Sequence, residues 1–255
     1  MAAADFAPPG LRAASVSVTR GGRRVLSEVS FAAPGGQVTA IVGPAGSGKG
    51  ALLRCFNRMH DLDGAAEMSG AVFRENEELV RLPEHLAGLR RRIVLVSGRA
   101  GLFPRSISFN VAFGLRINRY RGDIDRQVQT ALETAGLWPE VGDRLDQSAM
   151  ALGAGQMQRL CLARALAVEP EALLLDHPTS GLDRNESGKI EDIIVSLRGR
   201  HTILLATENL GQASRISDYT AFVQDGELVE FGETERVFTN PEHPLTEAFI
   251  TGRTG

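Results

Sequence analysis

Several residue types are scarce in this 255-residue chain, and each scarcity excludes a class of protein. The two cysteines, Cys55 and Cys161, lie in apolar helical patterns, so we expect buried, reduced thiols and neither a disulfide framework nor a cysteine metal site. No apolar run approaches the length that crosses a bilayer. Basic residues do not outnumber acidic ones, and the formal net charge of −3 gives no electrostatic basis for binding nucleic acid.

The beginning of the chain lacks the features of a secretory signal. Residues 1–14 are small and apolar but have no basic start and no continuous apolar core, so we predict a flexible tail. Residues 15–250 suffice for one large domain with an ample core. The chain is therefore predicted to be cytoplasmic, with any membrane role supplied by partners.

Lysine is also rare, since only Lys49 and Lys189 occur. Lys49 lies in the segment 43–50, Gly-Pro-Ala-Gly-Ser-Gly-Lys-Gly, between a strand-like apolar run and a helix-like segment. This segment nearly completes the pattern G-x-x-x-x-G-K-S/T, whose backbone N–H groups and helix N-terminus bind a phosphate. A rare lysine at the one position that the pattern requires favours this interpretation over a chance match. The predicted phosphate-binding residues are Gly43, Gly46, Ser47, Gly48, Lys49 and Gly50.

The distribution of apolar residues predicts an α/β fold. Short apolar runs at 172–175, 202–206 and 220–224 alternate with helical patterns, which is typical of a parallel sheet covered on both faces. Alternating residues before and after 20–24, and around Asp225-Gly226, predict antiparallel hairpins. Residues 106–168 show only helical spacing, so we predict a helical subdomain inserted into the α/β core.

The apolar run at 173–175 ends in Asp176. In a phosphate-loop protein, an acid at the carboxyl end of a parallel strand lies beside the loop and can hold Mg²⁺ through water. The alternative is an aspartate that caps the following turn. The upstream loop favours the metal interpretation.

Taken together, these motifs resemble the ATP-binding-cassette (ABC) ATPases over nearly the whole chain. Residues 152–156, Leu-Gly-Ala-Gly-Gln, resemble the family signature L-S-G-G-Q, and residues 180–183 resemble its S-A-L-D interface loop. Segments outside the catalytic motifs look like the ATPase subunit of phosphate-specific importers. These segments are 56–59, 103–107, 135–138, 215–218 and 250–253.

The resemblance implies a phosphate-loop (RecA-like) ABC nucleotide-binding domain that takes ATP or ADP with Mg²⁺. It implies a head-to-tail dimer, either a homodimer or a pair with another ABC subunit, with each ATP between the phosphate loop of one subunit and the signature of the other. It also implies two transmembrane permease subunits, an extracytoplasmic phosphate-binding protein, and a place on the inner face of the cell membrane.

The chain departs from the family at positions that contact metal or phosphate. Gly50 lacks the hydroxyl that binds Mg²⁺, and Gly98 stands where a metal-contacting glutamine is expected. In the signature, Gly153 replaces the serine that contacts the γ-phosphate, and Ala154 replaces a glycine, while Gly155 and Gln156 are retained. The Cβ of an alanine obstructs close approach of the backbone to a phosphate.

Three further departures affect the base, the switch residue and the adenine contact. His177 stands where the general-base glutamate follows the strand acid, and Glu208 stands where a histidine contacts the γ-phosphate. Arg20 takes the place of an aromatic residue that stacks on adenine, a role that a guanidinium plane can also fill. His177 and Glu208 are the family's pair exchanged, so a hydrogen-bonded pair with neutral His177 as base is one possible arrangement.

These departures predict strongly impaired hydrolysis and weakened Mg²⁺ binding, because a lost stabiliser or base costs roughly 10²–10⁴ in rate. The favoured interpretation is a nucleotide-binding subunit of a phosphate-type importer that is silent or very slow as an ATPase. Two alternatives stay open. One is an active ATPase that couples hydrolysis to phosphate import, and the other is an active parent whose motif residues were replaced deliberately.

Overall fold

The computed structural model describes residues 8–79 and 86–253, which form two compact units. The first unit consists of the described residues within Met1–Leu95, Glu171–Asp176 and Leu197–Gly255. The second consists of the described residues within Val96–Pro170 and His177–Ser196. The predicted helical subdomain 106–168 lies inside the second unit, which also includes residues that follow Asp176.

Ten strands and ten α-helices are described. The strands are β1 (Leu11–Arg20), β2 (Arg23–Ala33), β3 (Val38–Val42), β4 (Ala66–Arg74), β5 (Glu77–Glu78), β6 (Ile93–Ser97), β7 (Ala172–Asp176), β8 (Thr202–Thr207), β9 (Tyr219–Gln224) and β10 (Glu227–Glu233). The helices are α1 (Lys49–Phe56), α2 (Leu86–Arg92), α3 (Ile107–Ile117), α4 (Ile124–Thr134), α5 (Trp138–Val141), α6 (Ala154–Leu166), α7 (Arg184–Ser196), α8 (Leu210–Ile216), α9 (Thr234–Thr239) and α10 (Pro244–Ile250).

Two sheets organise these strands. One is antiparallel, with the order β2-β1-β4-β5, and the other has the order β10-β9-β3-β8-β7-β6. In the second sheet β3 runs parallel to β8 and β9, and β7 runs parallel to β8, while β10 returns antiparallel to β9. Every residue of β3 and β8 is buried, as expected for strands covered on both faces. The predicted α/β class and the hairpins are confirmed.

The prediction of a flexible tail over residues 1–14 is wrong for its last four residues. Leu11 to Ala14 begin β1, where Leu11 pairs with both Ala33 of β2 and Arg74 of β4. Leu11 and Ala13 are buried in the core, which explains why they are ordered. Residues 1–7 lie outside the described part of the chain.

Two further features concern the end of helix α4 and the two cysteines. Helix α4 ends at Thr134, and Gly136 adopts a left-handed conformation (φ 58°) between α4 and α5. Cys55 and Cys161 are both buried, and neither is in a disulfide. Within residues 8–79 and 86–253, none of the helices combines the length and apolarity needed to span a membrane.

Candidate functional site

The glycine-rich loop joins the buried strand β3 to helix α1, as the sequence predicts. Gly46 and Gly48 have φ of 80° and 99°, a region that favours glycine. A Cβ at Gly48 would lie 2.8 Å from the backbone carbonyl oxygen of Val25 and 2.5 Å from Leu26 Cδ2, so a side chain at this position would require the backbone to shift. Gly48 is also the N-cap of α1, with no side-chain capping hydrogen bond and no acidic residue in the first turn. The helix N-terminus is therefore suited to an anion.

The turn between β9 and β10 contacts the glycine-rich loop. The amide of Gly226, in the turn between β9 and β10, donates to the carbonyl of Ser47 at 3.2 Å. The amide of Ser27 in β2 donates to the carbonyl of Gly226 at 2.8 Å. The loop conformation thus depends on residues far along the chain as well as on its own glycines.

Lys49 is the first residue of α1, and its side chain is only 3% exposed. Its ammonium donates to the carbonyls of Gly43 and Pro44, both at 2.7 Å, and lies 3.6 Å from Oε1 of Glu208. Burial lowers the pKa of Lys49, and the Glu208 carboxylate partly opposes this shift. A phosphate that binds Lys49 must therefore compete with the loop carbonyls and with a carboxylate.

The structure places Gly50 beside Asp176, the acid at the end of β7. A Cβ at Gly50 would lie 3.1 Å from Asp176 Oδ2 and 3.2 Å from Nη1 of Arg54. Arg54 lies one turn further along α1, and its Nη2 is 3.3 Å from Asp176 Oδ2. The position at which the family carries its metal hydroxyl is therefore next to an arginine–aspartate ion pair.

These residues do not fit a bound Mg²⁺. Gly50 offers no side-chain oxygen, and the carboxylate of Asp176 already contacts a guanidinium. The described residues include no group of three or more histidine, cysteine, aspartate or glutamate side chains arranged for a metal ion. The side chains around Gly50 therefore place a positively charged guanidinium beside Asp176 and do not supply the oxygen ligands of a metal site.

The signature residues lie in the second unit, at the start of α6. Together with the interface loop they line a cavity of about 480 Å³. Gln156 accepts a hydrogen bond from the amide of Gly153 at 3.0 Å and donates to Oε2 of Glu140 at 2.6 Å. A Cβ at Gly153 would lie 3.8 Å from Oε1 of Gln156, its nearest neighbour, so this position has room for the expected serine. The cavity lining is Glu140, Gly153, Ala154, Gly155, Gln156, Gly181, Leu182, Asp183 and Glu186.

The charged residues that line this cavity are all carboxylates, and Arg159 forms ion pairs with two of them. Arg159 is fully buried and lies 2.8 Å from Oε1 of Glu140 and 3.3 Å from Oε2 of Glu186. Its hydrogen bond lowers the pKa of Glu140. Lys189 also contacts Glu186, at 2.6 Å. The signature helix is therefore fixed by an ion-pair network that the sequence reasoning did not identify.

The other predicted site residues are divided between the units. Gly98 follows β6 and belongs to the second unit, as does His177, which has a left-handed φ of 54°. Arg20 ends β1 in the first unit, where its Nε lies 2.7 Å from Oδ2 of Asp63 and its side chain is 68% exposed. Glu208 is also in the first unit, beside Lys49.

Sequence reasoning missed Arg54, Glu140, Arg159 and Glu186. Arg54 has a local signal, because it lies four residues after Gly50 and hence on the same face of α1. The ion pairs of Arg159 have no local sequence signal, since Glu140 and Glu186 are separated from it by 19 and 27 residues.

Comparisons with known proteins agree with this geometry. The sequence model of the ABC transporter family matches residues 26–180. "Phosphate import ATP-binding protein PstB 1" of Yersinia pestis bv. Antiqua (strain Antiqua) is 46% identical over 237 residues, which are 92% of this chain and 88% of that protein. The protein of the same name from Yersinia pseudotuberculosis serotype I (strain IP32953) gives the same values: 46% identity over 237 residues, 92% and 88%.

Two solved structures share the fold. The structure of cbiO1 from Clostridium perfringens, described as part of the ABC transporter complex cbiONQ, has a TM-score of 0.77 at 27% identity and covers 91% of each chain. A bacterial Atm1-family ABC exporter with ATP bound has a TM-score of 0.80 at 22% identity, and the match covers all of this chain (100%) but 45% of the exporter chain. The chain therefore belongs to the ABC transporter family, and its fold is that of the family's nucleotide-binding domain.

Proposed function

We propose that this chain is the nucleotide-binding subunit of a phosphate-type ABC importer and that it binds ATP or ADP but hydrolyses ATP very slowly. The relatives named for phosphate import, at 46% identity over most of both chains, support the type of transporter. The observation that carries the prediction about hydrolysis is the Arg54–Asp176 ion pair beside Gly50. This ion pair occupies the position at which metal-assisted ATP hydrolysis requires oxygen ligands.

Nucleotide binding is supported by the loop itself. The glycine conformations, the open N-terminus of α1 and the buried lysine are the elements that hold a β-phosphate in this class of loop. These elements act through backbone groups and one ammonium, so they do not require the altered residues. Nucleotide binding is therefore expected to be retained, although ATP hydrolysis is strongly impaired.

Glu208 makes the site prefer ADP to ATP. Its carboxylate lies 3.6 Å from Lys49, where the family places a histidine that contacts the γ-phosphate. Two unit charges about 4 Å apart repel each other by roughly 1 kcal/mol in water and by more in a less polar site. In the arrangement that the family resemblance implies, the γ-phosphate would lie beside this carboxylate, so its additional charge disfavours ATP.

Hydrolysis lacks three contributions: a glutamate base, a metal hydroxyl and a signature serine. Each loss costs roughly 10²–10⁴ in rate, and such losses do not add independently. Even a single loss of this size turns a transport motor into a very slow one. A pairing with an intact ABC subunit does not restore a whole site, because both the loop half and the signature half of this chain are altered.

An active ATPase that couples hydrolysis to phosphate import is the second candidate, and the relatives at 46% identity, which are named for ATP binding, do not distinguish it from the first. The exchanged pair of His177 and Glu208 would have to supply the base in that case. Restored turnover in a His177→Glu, Glu208→His double variant, with none in the parent, would exclude the exchanged pair. Steady-state hydrolysis measured with the membrane subunits present separates a motor from a silent subunit.

The proposed assembly follows from the same relatives. Two copies, or one copy and another ABC subunit, would associate with two transmembrane permease subunits on the inner face of the cell membrane. Phosphate would reach them from an extracytoplasmic binding protein. Co-purification with the permease subunits from membranes tests this assembly directly.

Isothermal calorimetry with ADP and ATP tests the binding half of the proposal. We expect the full chain to bind both nucleotides, ADP more tightly, and Lys49→Ala to weaken binding at least tenfold because it removes a charge-assisted contact. Lys189→Ala is the matched control, since it removes the only other lysine and leaves the loop unchanged. Equal binding by the two lysine variants would overturn the assignment of the loop.

A further inference from the structure

The side chain of Arg54 lies where the charge of a divalent metal would otherwise be needed. It projects from the second turn of α1, four residues after Gly50, so both residues share one face of the helix. Long helical side chains point back toward the N-terminus, which brings this guanidinium to the mouth of the phosphate loop. Its Nη2 lies 3.3 Å from Oδ2 of Asp176.

The missing side chain at residue 50 makes room for this arrangement. A Cβ there would lie 3.2 Å from Nη1 of Arg54 and 3.1 Å from Oδ2 of Asp176. A serine or threonine would extend further, into the space that the guanidinium and carboxylate occupy. The glycine and the arginine position are thus linked: the first lets the second approach Asp176.

We infer that Arg54 serves as a built-in cation of the nucleotide site, so that this chain binds nucleoside diphosphates and triphosphates without a divalent metal. The inference rests on the proposed function, because it concerns how the same loop binds nucleotide. The metal's usual task at this position is to neutralise phosphate charge beside the strand acid. A guanidinium performs that task permanently, since it is never deprotonated in proteins.

The chemistry of the group suits a phosphate. Arginine presents five N–H donors in a planar fork that matches phosphate oxygens, and one of them contacts Asp176 here. The Arg54 side chain is 46% exposed, whereas that of Asp176 is 13% exposed. The guanidinium therefore contacts a partly buried carboxylate with one nitrogen, while about half of the Arg54 side chain stays open to solvent. Lys49 and Arg54 together place two positive charges beside a bound phosphate.

The test is calorimetric titration of the full chain with ADP, in EDTA and again in Mg²⁺. We expect the wild-type dissociation constants under the two conditions to agree within about threefold. Arg54→Met is expected to weaken binding in EDTA roughly 10–100-fold, the usual effect of losing a hydrogen bond between charged groups. Binding of Mn²⁺ followed by electron paramagnetic resonance gives a second readout, in which wild-type chain with ADP retains no more Mn²⁺ than ADP alone.

Arg198→Met is the matched control. Arg198 also pairs with an aspartate, its Nε lying 3.4 Å from Oδ2 of Asp218, and Asp218 accepts from the amide of Val38 at the end of β3 remote from the loop. This variant should bind ADP within about twofold of wild type, because charge screened over such a separation contributes little. Gly50→Ser is the converse variant: it displaces Arg54, lowers affinity in EDTA and makes binding depend on Mg²⁺.

The outcomes separate the two proposals. Wild-type binding that requires Mg²⁺ would overturn the role of Arg54 and leave the nucleotide-binding function standing. No binding under either condition would overturn both. Unchanged metal-free affinity in Arg54→Met would also reject the inference, and if that variant does not fold, an unchanged metal-free affinity in Gly50→Ser rejects it instead.

Discussion

The ammonium of Lys49 is shared between the carbonyls of its own loop and the carboxylate of Glu208. Because of this sharing, we expect a carboxylate outside the phosphate loop to influence the affinity of the loop for nucleotide. A nucleotide must displace these contacts before Lys49 can contact its phosphates. In the binding mode that we propose, Glu208 acts twice, as a competitor for Lys49 and as a negative charge near the γ-phosphate.

Glu208→Gln should strengthen ATP binding about fivefold, the effect of removing roughly 1 kcal/mol of charge repulsion. The gain should be smaller for ADP, which lacks the γ-phosphate. Calorimetry with both nucleotides measures the difference. Glu235→Gln, an exposed acid in α9, is the control and should change neither affinity. An equal gain for ATP and ADP would contradict the placement of Glu208 near the γ-phosphate.

The two thiols are expected to be inert in the native protein. Burial raises the pKa of Cys55 to about 12, and burial also raises the pKa of Cys161. Both groups are therefore protonated at pH 8, and the thiolate is the reactive form. A chromogenic disulfide reagent should label neither thiol in native protein at pH 8 and both in denaturant. Rapid labelling of the native chain would show that one helix opens locally.

The sequence reasoning succeeded where the signal is local. Strand β3, the glycine-rich loop and helix α1 follow one another as the pattern predicts, with Gly48 at the N-cap and Lys49 first in the helix. The contact between Arg54 and Asp176 joins residues 122 positions apart, and no periodicity in the sequence connects them. Long-range ion pairs depend on how strands are ordered in the sheet. The order of β7 and β3 is a result of folding that a single sequence does not reveal.

Helix α6 shows how an element depends on charges outside it. Its first turn carries the signature, and Gln156 and Arg159 tie that turn to Glu140 in α5. The hydrogen bond from Arg159 lowers the pKa of Glu140 below its ordinary value. A carboxyl with a lowered folded-state pKa stabilises the fold above its unfolded pKa and loses this contribution as pH falls through the folded value.

Glu140→Gln should lower the unfolding free energy by about 1 kcal/mol at neutral pH, a typical value for one charge-assisted hydrogen bond that is partly exposed. The difference from wild type should be constant from pH 8 to pH 5 and should shrink below pH 4.5. Urea unfolding at several pH values measures it. Glu133→Gln in α4, an exposed acid outside this network, should show no such difference.

Over the full chain, nucleotide should stabilise one unit more than the other. The phosphate loop, Asp176 and Glu208 all belong to the first unit. At a nucleotide concentration about 100 times the dissociation constant, binding adds roughly 2.7 kcal/mol to the stability of the unit that binds. Amide hydrogen exchange should accordingly slow in β3, α1 and β7, and much less in α3 and α4.

Differential scanning calorimetry gives the matching observation. Because the chain forms two compact units, two-state unfolding is not assumed, and ADP should raise the transition of the first unit by about 5–10 °C. Lys49→Ala should abolish this shift, and Lys189→Ala should preserve it. Equal stabilisation of both units by ADP would place nucleotide contacts in the second unit as well.

The hydrogen bond from Gly226 to Ser47 has a practical consequence for anyone who modifies this protein. A tight hairpin turn at the surface is usually the first choice for an inserted epitope or fluorophore. Here the turn at residues 225–226 supports the phosphate loop, so an insertion there should reduce nucleotide affinity while leaving expression normal.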